Sequence, residues 1–113
     1  MITKRLKLFT DFVHTFLRLA MHIREVIATL VFLILLGGLA ISRLEEIGLG
    51  DAIYFAFITG MSVGYGDITP ETATGKVVSV GIGLIGMLFV GITVAIATRA
   101  LAVTAKRYLE TGQ

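Results

Sequence analysis

The chain has 113 residues, 56% of them hydrophobic and 16% charged, with a net charge of +2 and no cysteine. A soluble domain carries about 25% charged residues, so this apolar excess, gathered into long runs, points to the bilayer as solvent. Disulfides and thiolate metal sites are excluded, and the basic residues form no patch of the kind that binds nucleic acid.

The first element is an amphipathic helix over residues 1–24. Leu8, Phe9, Phe12, Val13, Phe16, Leu17 and Ala20 recur at helical spacing, while Lys4, Arg5, Lys7, Asp11, His14 and Arg18 fall largely elsewhere. A basic helix with aromatic apolar positions suits the membrane interface, with anionic lipid headgroups as partners. The alternative is an extension of the first spanning helix into the cytoplasm. The stretch does not read as a cleavable secretory signal, because its apolar core starts late and has no small-residue cleavage site. His14 and His22 stand apart from acids at metal-ligand spacing; His14 reads as a solvated interfacial residue.

The next element is an outer helix over residues 25–43, expected to reach upstream through Met21 and Ile23. Its run from Val26 to Ile41 carries no charge and lies at the short end for a span, which Arg24 and Arg43 can lengthen by snorkelling. The run Ile47 to Ile58 is too short to cross a bilayer and suits a re-entrant helix, residues 51–61, with Asp51 as its N-cap. Irregular backbone at membrane depth must follow, and it is tolerated only where protein buries it or water lines it. At that point stands Ser62-Val63-Gly64-Tyr65-Gly66-Asp67. Two glycines alternating with Val and Tyr can line successive carbonyls along one side, because glycine adopts left-handed angles at little steric cost. Carbonyls so stacked can replace the water shell of a cation.

The last long run, Val77 to Thr98, lies inside an inner helix over residues 75–103 and reaches roughly 33 Å at about 1.5 Å per residue. Gly81, Gly83, Gly86 and Gly91 lie within it. Close packing of small residues is the expectation for Gly81 and Gly83; at Gly86 a bend point and close packing stand level, with Gly91 as a second candidate bend. Met87, Val90, Val94, Thr98 and Ala102 fall on one face and would line a pore that gates by dewetting. Residues 104–113 read as a cytoplasmic tail. Eight basic residues flank the two termini against two between the spans, which puts both termini in the cytoplasm. The loop between the spans holds Glu45, Glu46, Asp51, Asp67 and Glu71, an acidic vestibule that would concentrate cations.

Residues from about Val26 to Val103 resemble the pore module of two-helix, pore-only prokaryotic potassium channels, and the run from Ser62 to Asp67 resembles their filter T-V-G-Y-G-D with Ser for Thr. The resemblance implies an all-α membrane protein with two transmembrane helices, a re-entrant pore helix and a homotetrameric pore in a prokaryotic plasma membrane. It implies K⁺ held by the carbonyls of Ser62, Val63, Gly64 and Tyr65, with the Ser62 hydroxyl at a looser innermost site, supported by Tyr54, Ile58 and Met61. The pattern departs in four places: Ser62, Met61 in place of a threonine, Tyr54-Phe55 in place of two tryptophans, and Ile58 where some members pair a glutamate with the filter aspartate. Tyr54 can offer its hydroxyl toward Asp67, with weaker coupling expected. No enzyme and no cofactor are implied, K⁺ being the permeant ion. A non-selective cation channel, a small transporter or scaffold, and the pore piece of a larger ligand-gated channel are the competing readings.

Overall fold

The computed structural model describes residues 2–110, and among them every regular element is helical. Helix α1 spans Ile2–His22, α2 Arg24–Glu45, α3 Leu49–Gly60 and α4 Ala73–Glu110. Of these, α2 and α4 are long and apolar enough to cross a membrane; α3 is a shorter apolar helix. The chain divides into two units. One pairs α1 with the part of α4 from Ile92 onward, and the other holds residues 25–91.

In the larger unit α2, α3 and the first half of α4 share one core. Ile34 and Ile41 of α2 meet Ala52, Phe55 and Ala56 of α3 and Ile82 of α4. Small residues bring these helices close. A Cβ on Gly37 would stand 2.6 Å from the Ile82 side chain, and one on Gly38 would stand 2.9 Å from Ile53. At Gly86 the obstacle is backbone: a Cβ there would overlap the carbonyl of Gly60 and lie 2.6 Å from its Cα. Gly86 is therefore where α4 touches the last turn of α3. Gly81 and Gly83, expected to pack closely, meet nothing within 4 Å inside the chain. They lie off the side of α4 that carries Ile82 and Gly86. Helix α4 runs unbroken through both Gly86 and Gly91.

In the smaller unit Thr15, Ile96, Ala100 and Thr104 are buried. Phe12 and Phe16 pack with ring centroids 6.3 Å apart at a tilt of 44°. Only part of the apolar face read from sequence is covered, since Phe9 and Leu17 stay exposed.

Several boundaries differ from those expected. The first spanning helix does not extend through Met21, because the chain breaks at Ile23, whose N–H turns back to Ala20 O at 3.2 Å. Helix α3 begins two residues before Asp51. Its first bond is Ala52 N–H to Gly48 O at 3.0 Å, and Gly48 provides no side-chain cap. Asp51 instead sits in the first turn, where a negative charge complements the positive helix end. Residues 104–110 are helical rather than a separate tail. Nothing in Ala105-Lys106-Arg107-Tyr108-Leu109 breaks a helix, and burial of Ala100 and Thr104 holds the preceding turns in place. Met1 and residues 111–113 lie outside the described residues.

The Gly86 contact gives a first test. Gly86→Ala should cost about 3 kcal/mol, because neither backbone can withdraw as a flexible side chain would. Gly50→Ala, with nothing within 4 Å, should leave the thermal midpoint in detergent level or raised. Equal midpoints for the Gly86 variant and the parent would contradict the contact.

Candidate functional site

The candidate residues sit on the chain between α3 and α4. Apolar pattern makes α3 a helix, and the glycine-rich run after it cannot continue one. Met61 N–H closes on Phe57 O at 2.8 Å, and Ser62 N–H on Thr59 O at 3.2 Å. The chain then doubles back along α3. Val63 N–H and Gly64 N–H both donate to the Ile58 carbonyl, at 3.0 and 3.1 Å.

These two bonds decide where the neighbouring carbonyls go. The peptide bonds are trans among the described residues. In a planar trans peptide the C=O of one residue points opposite to the N–H of the next. With the N–H groups of Val63 and Gly64 aimed at α3, the carbonyls of Ser62 and Val63 point away from it. The backbone angles carry the pattern onward. Ser62, Gly64 and Gly66 have φ of +67°, +57° and +82°, while Val63 and Tyr65 keep negative φ. Alternating hand along a short run turns successive peptide planes so that their oxygens can gather on one side. Glycine serves at two of the three left-handed positions because it has no Cβ to clash.

Ser62 is the third, and it bears a cost of roughly 1–2 kcal/mol for an L-residue there. A β-branched residue at positive φ is worse still. Serine meets this angle at lower cost than a β-branched residue would, since its side chain carries an oxygen and no branching methyl.

Of the support residues, Tyr54 makes the contact expected of it, whereas Ile58 acts through its backbone. Tyr54, on α3, donates its hydroxyl to Asp67 Oδ2 at 3.0 Å, so the shorter ring does reach. Ile58 lacks an acid to pair with Asp67, yet its carbonyl is the acceptor that orients the loop. Met61 ends α3 and is exposed, as is Val63; Tyr65 is 70% exposed. A cavity of 190 Å³ lies between α3 and the loop, bordered by Tyr54, Ile58, Gly64, Tyr65 and Asp67.

On α4, Gly86 is buried against α3 and Val90 is half-buried, whereas Met87, Gly91, Val94 and Thr98 are exposed. The Thr98 hydroxyl is engaged with Val94 O at 2.8 Å. The exposed apolar positions form a longer stripe than the sequence pattern singled out, since Val77, Val80 and Leu84 continue it toward the helix start. Spacings of three and four residues keep them on one face.

One residue makes contacts that the sequence reading did not assign to it. Glu45, placed there in an acidic vestibule, turns its carboxylate onto the segment before α4. Its Oε1 accepts Glu71 N–H at 2.6 Å, and its Oε2 accepts Thr72 N–H at 3.2 Å and the Thr72 hydroxyl. A separation of 26 or 27 residues leaves no local signal for such a bond. Among the described residues, no group of three His, Cys, Asp or Glu side chains is placed to hold a metal ion.

Replacing Ser62 tests the backbone account. Ser62→Thr should lower stability by about 1 kcal/mol, read as a lower thermal midpoint of the assembled protein. A threonine variant as stable as the parent would contradict the left-handed geometry.

Residues 27–103 match the family model described as Ion channel. Curated relatives include "Two pore potassium channel c" of Oryza sativa, 50% identical over 42 residues, which are 37% of this chain and 9% of that protein. "Two-pore potassium channel 2" of Arabidopsis thaliana is 36% identical over 64 residues, 56% of this chain and 14% of the relative. "Voltage-gated potassium channel" of Aeropyrum pernix is 43% identical over 37 residues, 33% of this chain and 12% of the relative. The chain thus spans 14% or less of the length of each of these relatives. No solved structure gives a significant match. The matched region takes in α3, the loop of alternating backbone hand and most of both long apolar helices, and the chain belongs to the ion channel family, as a membrane protein.

Proposed function

We propose that the chain is the pore subunit of a K⁺-selective channel that assembles as a homotetramer and conducts passively. The observation that carries this reading is the pair of bonds from Val63 and Gly64 to the Ile58 carbonyl. They turn the Ser62 and Val63 carbonyls away from α3 and leave them free to bind something else. The left-handed angles at Gly64 and Gly66 fit a continuation of the same row through Tyr65. A row of oxygens with no counter-charge suits a dehydrated monovalent cation, and four rows around an axis complete its coordination. The relatives named as potassium channels support the choice of K⁺.

Fourfold assembly also accounts for what one chain leaves uncovered. Tyr65 and Met87, at 70% and 67% exposure, and Val80 at 64%, belong to the loop and the first half of α4. Cyclic symmetry brings identical segments together around one axis. In that arrangement the exposed stripe of α4, with Met87, Gly91, Val94 and Thr98, lines the ion path below the filter. The Tyr54–Asp67 bond holds the outer end of each row. The charge distribution supports placing both termini in the cytoplasm, with anionic lipid headgroups beside the basic face of α1.

Reconstitution into liposomes tests the proposal. Under a K⁺ gradient the full chain should carry K⁺, with Na⁺ flux at least 100-fold lower, and should migrate as a tetramer in mild detergent. Equal K⁺ and Na⁺ flux would favour a non-selective cation channel, and a monomer would overturn the pore.

A further inference from the structure

The smaller unit, α1 with α4 from Ile92 onward, holds a cavity of 430 Å³ between its two helices. Leu8, Phe9 and Phe12 of α1 and Leu101 of α4 make its wall apolar, and the polar residues Arg5, Thr98 and Thr104 share the border. We propose that this cavity binds a single-chain anionic amphiphile, a fatty-acid carboxylate, with its chain along the apolar wall and its head at Arg5. The site needs only the smaller unit, so a failure of ion flux leaves it standing.

Thr104 is the sign that a ligand belongs there. Its side chain is fully buried, at 0% exposure, and among the described residues its hydroxyl has no hydrogen-bond partner. Other helical threonines of the chain avoid that state: Thr10, Thr15, Thr29 and Thr98 each donate to the carbonyl four residues back, at 2.7–2.8 Å. Thr98 borders the same cavity, so its hydroxyl is spent while that of Thr104 stays available. Burying a hydroxyl without a partner is costly, and a ligand oxygen in the cavity relieves that cost. The charge on that oxygen follows from Arg5. Among the described residues no acid lines the cavity, and Asp11, the one acid of α1, lies against Tyr108 instead. A guanidinium beside an apolar wall matches a carboxylate, whose two oxygens take its paired N–H groups. The volume lies low in the range of about 300–1,000 Å³ found for small-molecule sites, which suits one acyl chain rather than the two of a phospholipid. Phe9 and Leu101 are 65% and 59% exposed, so the wall is open to a chain entering from outside.

The chain has no tryptophan, so Phe9→Trp gives a single reporter on the cavity wall. The full chain carrying it is placed in phosphatidylcholine bilayers and titrated with brominated dodecanoate, whose bromine quenches indole emission on contact. Quenching should saturate. Arg5→Gln in the reporter background should raise the half-saturating concentration about fivefold, because a charge-assisted bond is lost. Lys7→Gln removes the same charge outside the cavity and should leave that concentration unchanged. Thr104→Val should raise it about twofold and, without the acid, leave the thermal midpoint level or higher, since a buried unpaired hydroxyl is gone. Brominated dodecanol, with the same chain and no charge, should quench without saturating. If Phe9→Trp does not fold, Leu101→Trp carries the reporter. Quenching that rises linearly with dose, saturates equally with dodecanol, or responds alike to Arg5→Gln and Lys7→Gln overturns the site. Saturable quenching by phosphatidylglycerol with brominated chains assigns the cavity to a membrane phospholipid and overturns the choice of occupant.

Discussion

The Ile58 carbonyl is the acceptor on which the site depends. Two consecutive N–H groups, those of Val63 and Gly64, close on this one oxygen at 3.0 and 3.1 Å. A carbonyl oxygen has two lone pairs, so it can take both. Planarity then leaves no choice for the opposite ends of those peptides. The chemistry of the site belongs to the main chain, and the side chains of Ser62, Val63 and Tyr65 matter mainly for the backbone angles they tolerate.

That acceptor has to be held still, and the packing of the larger unit does so. Helix α3 is short and, in isolation, would be marginal in water. It is steadied by Ile34 and Ile41 of α2, by Ile82 of α4, and by the direct backbone approach of Gly86 to Gly60. Gly86 thus gains a packing role beside the bend its position would allow. The last turn of α3 rests against the helix that, in the tetrameric reading, lines the cavity below. Any movement of α4 near Gly86 is felt at the end of α3, two residues from the carbonyl that orients the row. The loop after α3 and helix α4 are in this sense mechanically adjacent.

Much of this was legible in the sequence. The spans announce themselves because charge-free runs of bilayer length are rare in soluble proteins. The loop from Ser62 to Asp67 announces itself because alternating glycines at membrane depth have few other uses. Capping preference placed the start of α3 at Asp51, but the turn after α2 delivers Gly48 to that role and leaves Asp51 inside the helix. The end of α4 was missed because no glycine or proline lies between Gly91 and Gly112, so the pattern holds no stop signal. The break at Ile23 has no residue signature at all, since Ile is neither a cap nor a breaker. Gly81, Gly83 and Gly86 look alike in sequence, and only the position of Gly60 tells them apart. Glu45 was hidden for the same reason: its partners are set by tertiary structure and not by spacing. Backbone hand explains Ser62 better than composition could, because φ is not written in the pattern.

The direct measurement is of the carbonyls themselves. Solid-state NMR on the protein in lipid bilayers, with ¹³C at the carbonyls of Ser62, Val63, Gly64 and Tyr65, reports whether those oxygens bind the ion. Exchanging Na⁺ for K⁺ should shift these resonances together, saturably and at the concentration that supports flux, while the Ile58 carbonyl stays unmoved. Filter carbonyls indifferent to K⁺, in a protein that still conducts it, would contradict the account.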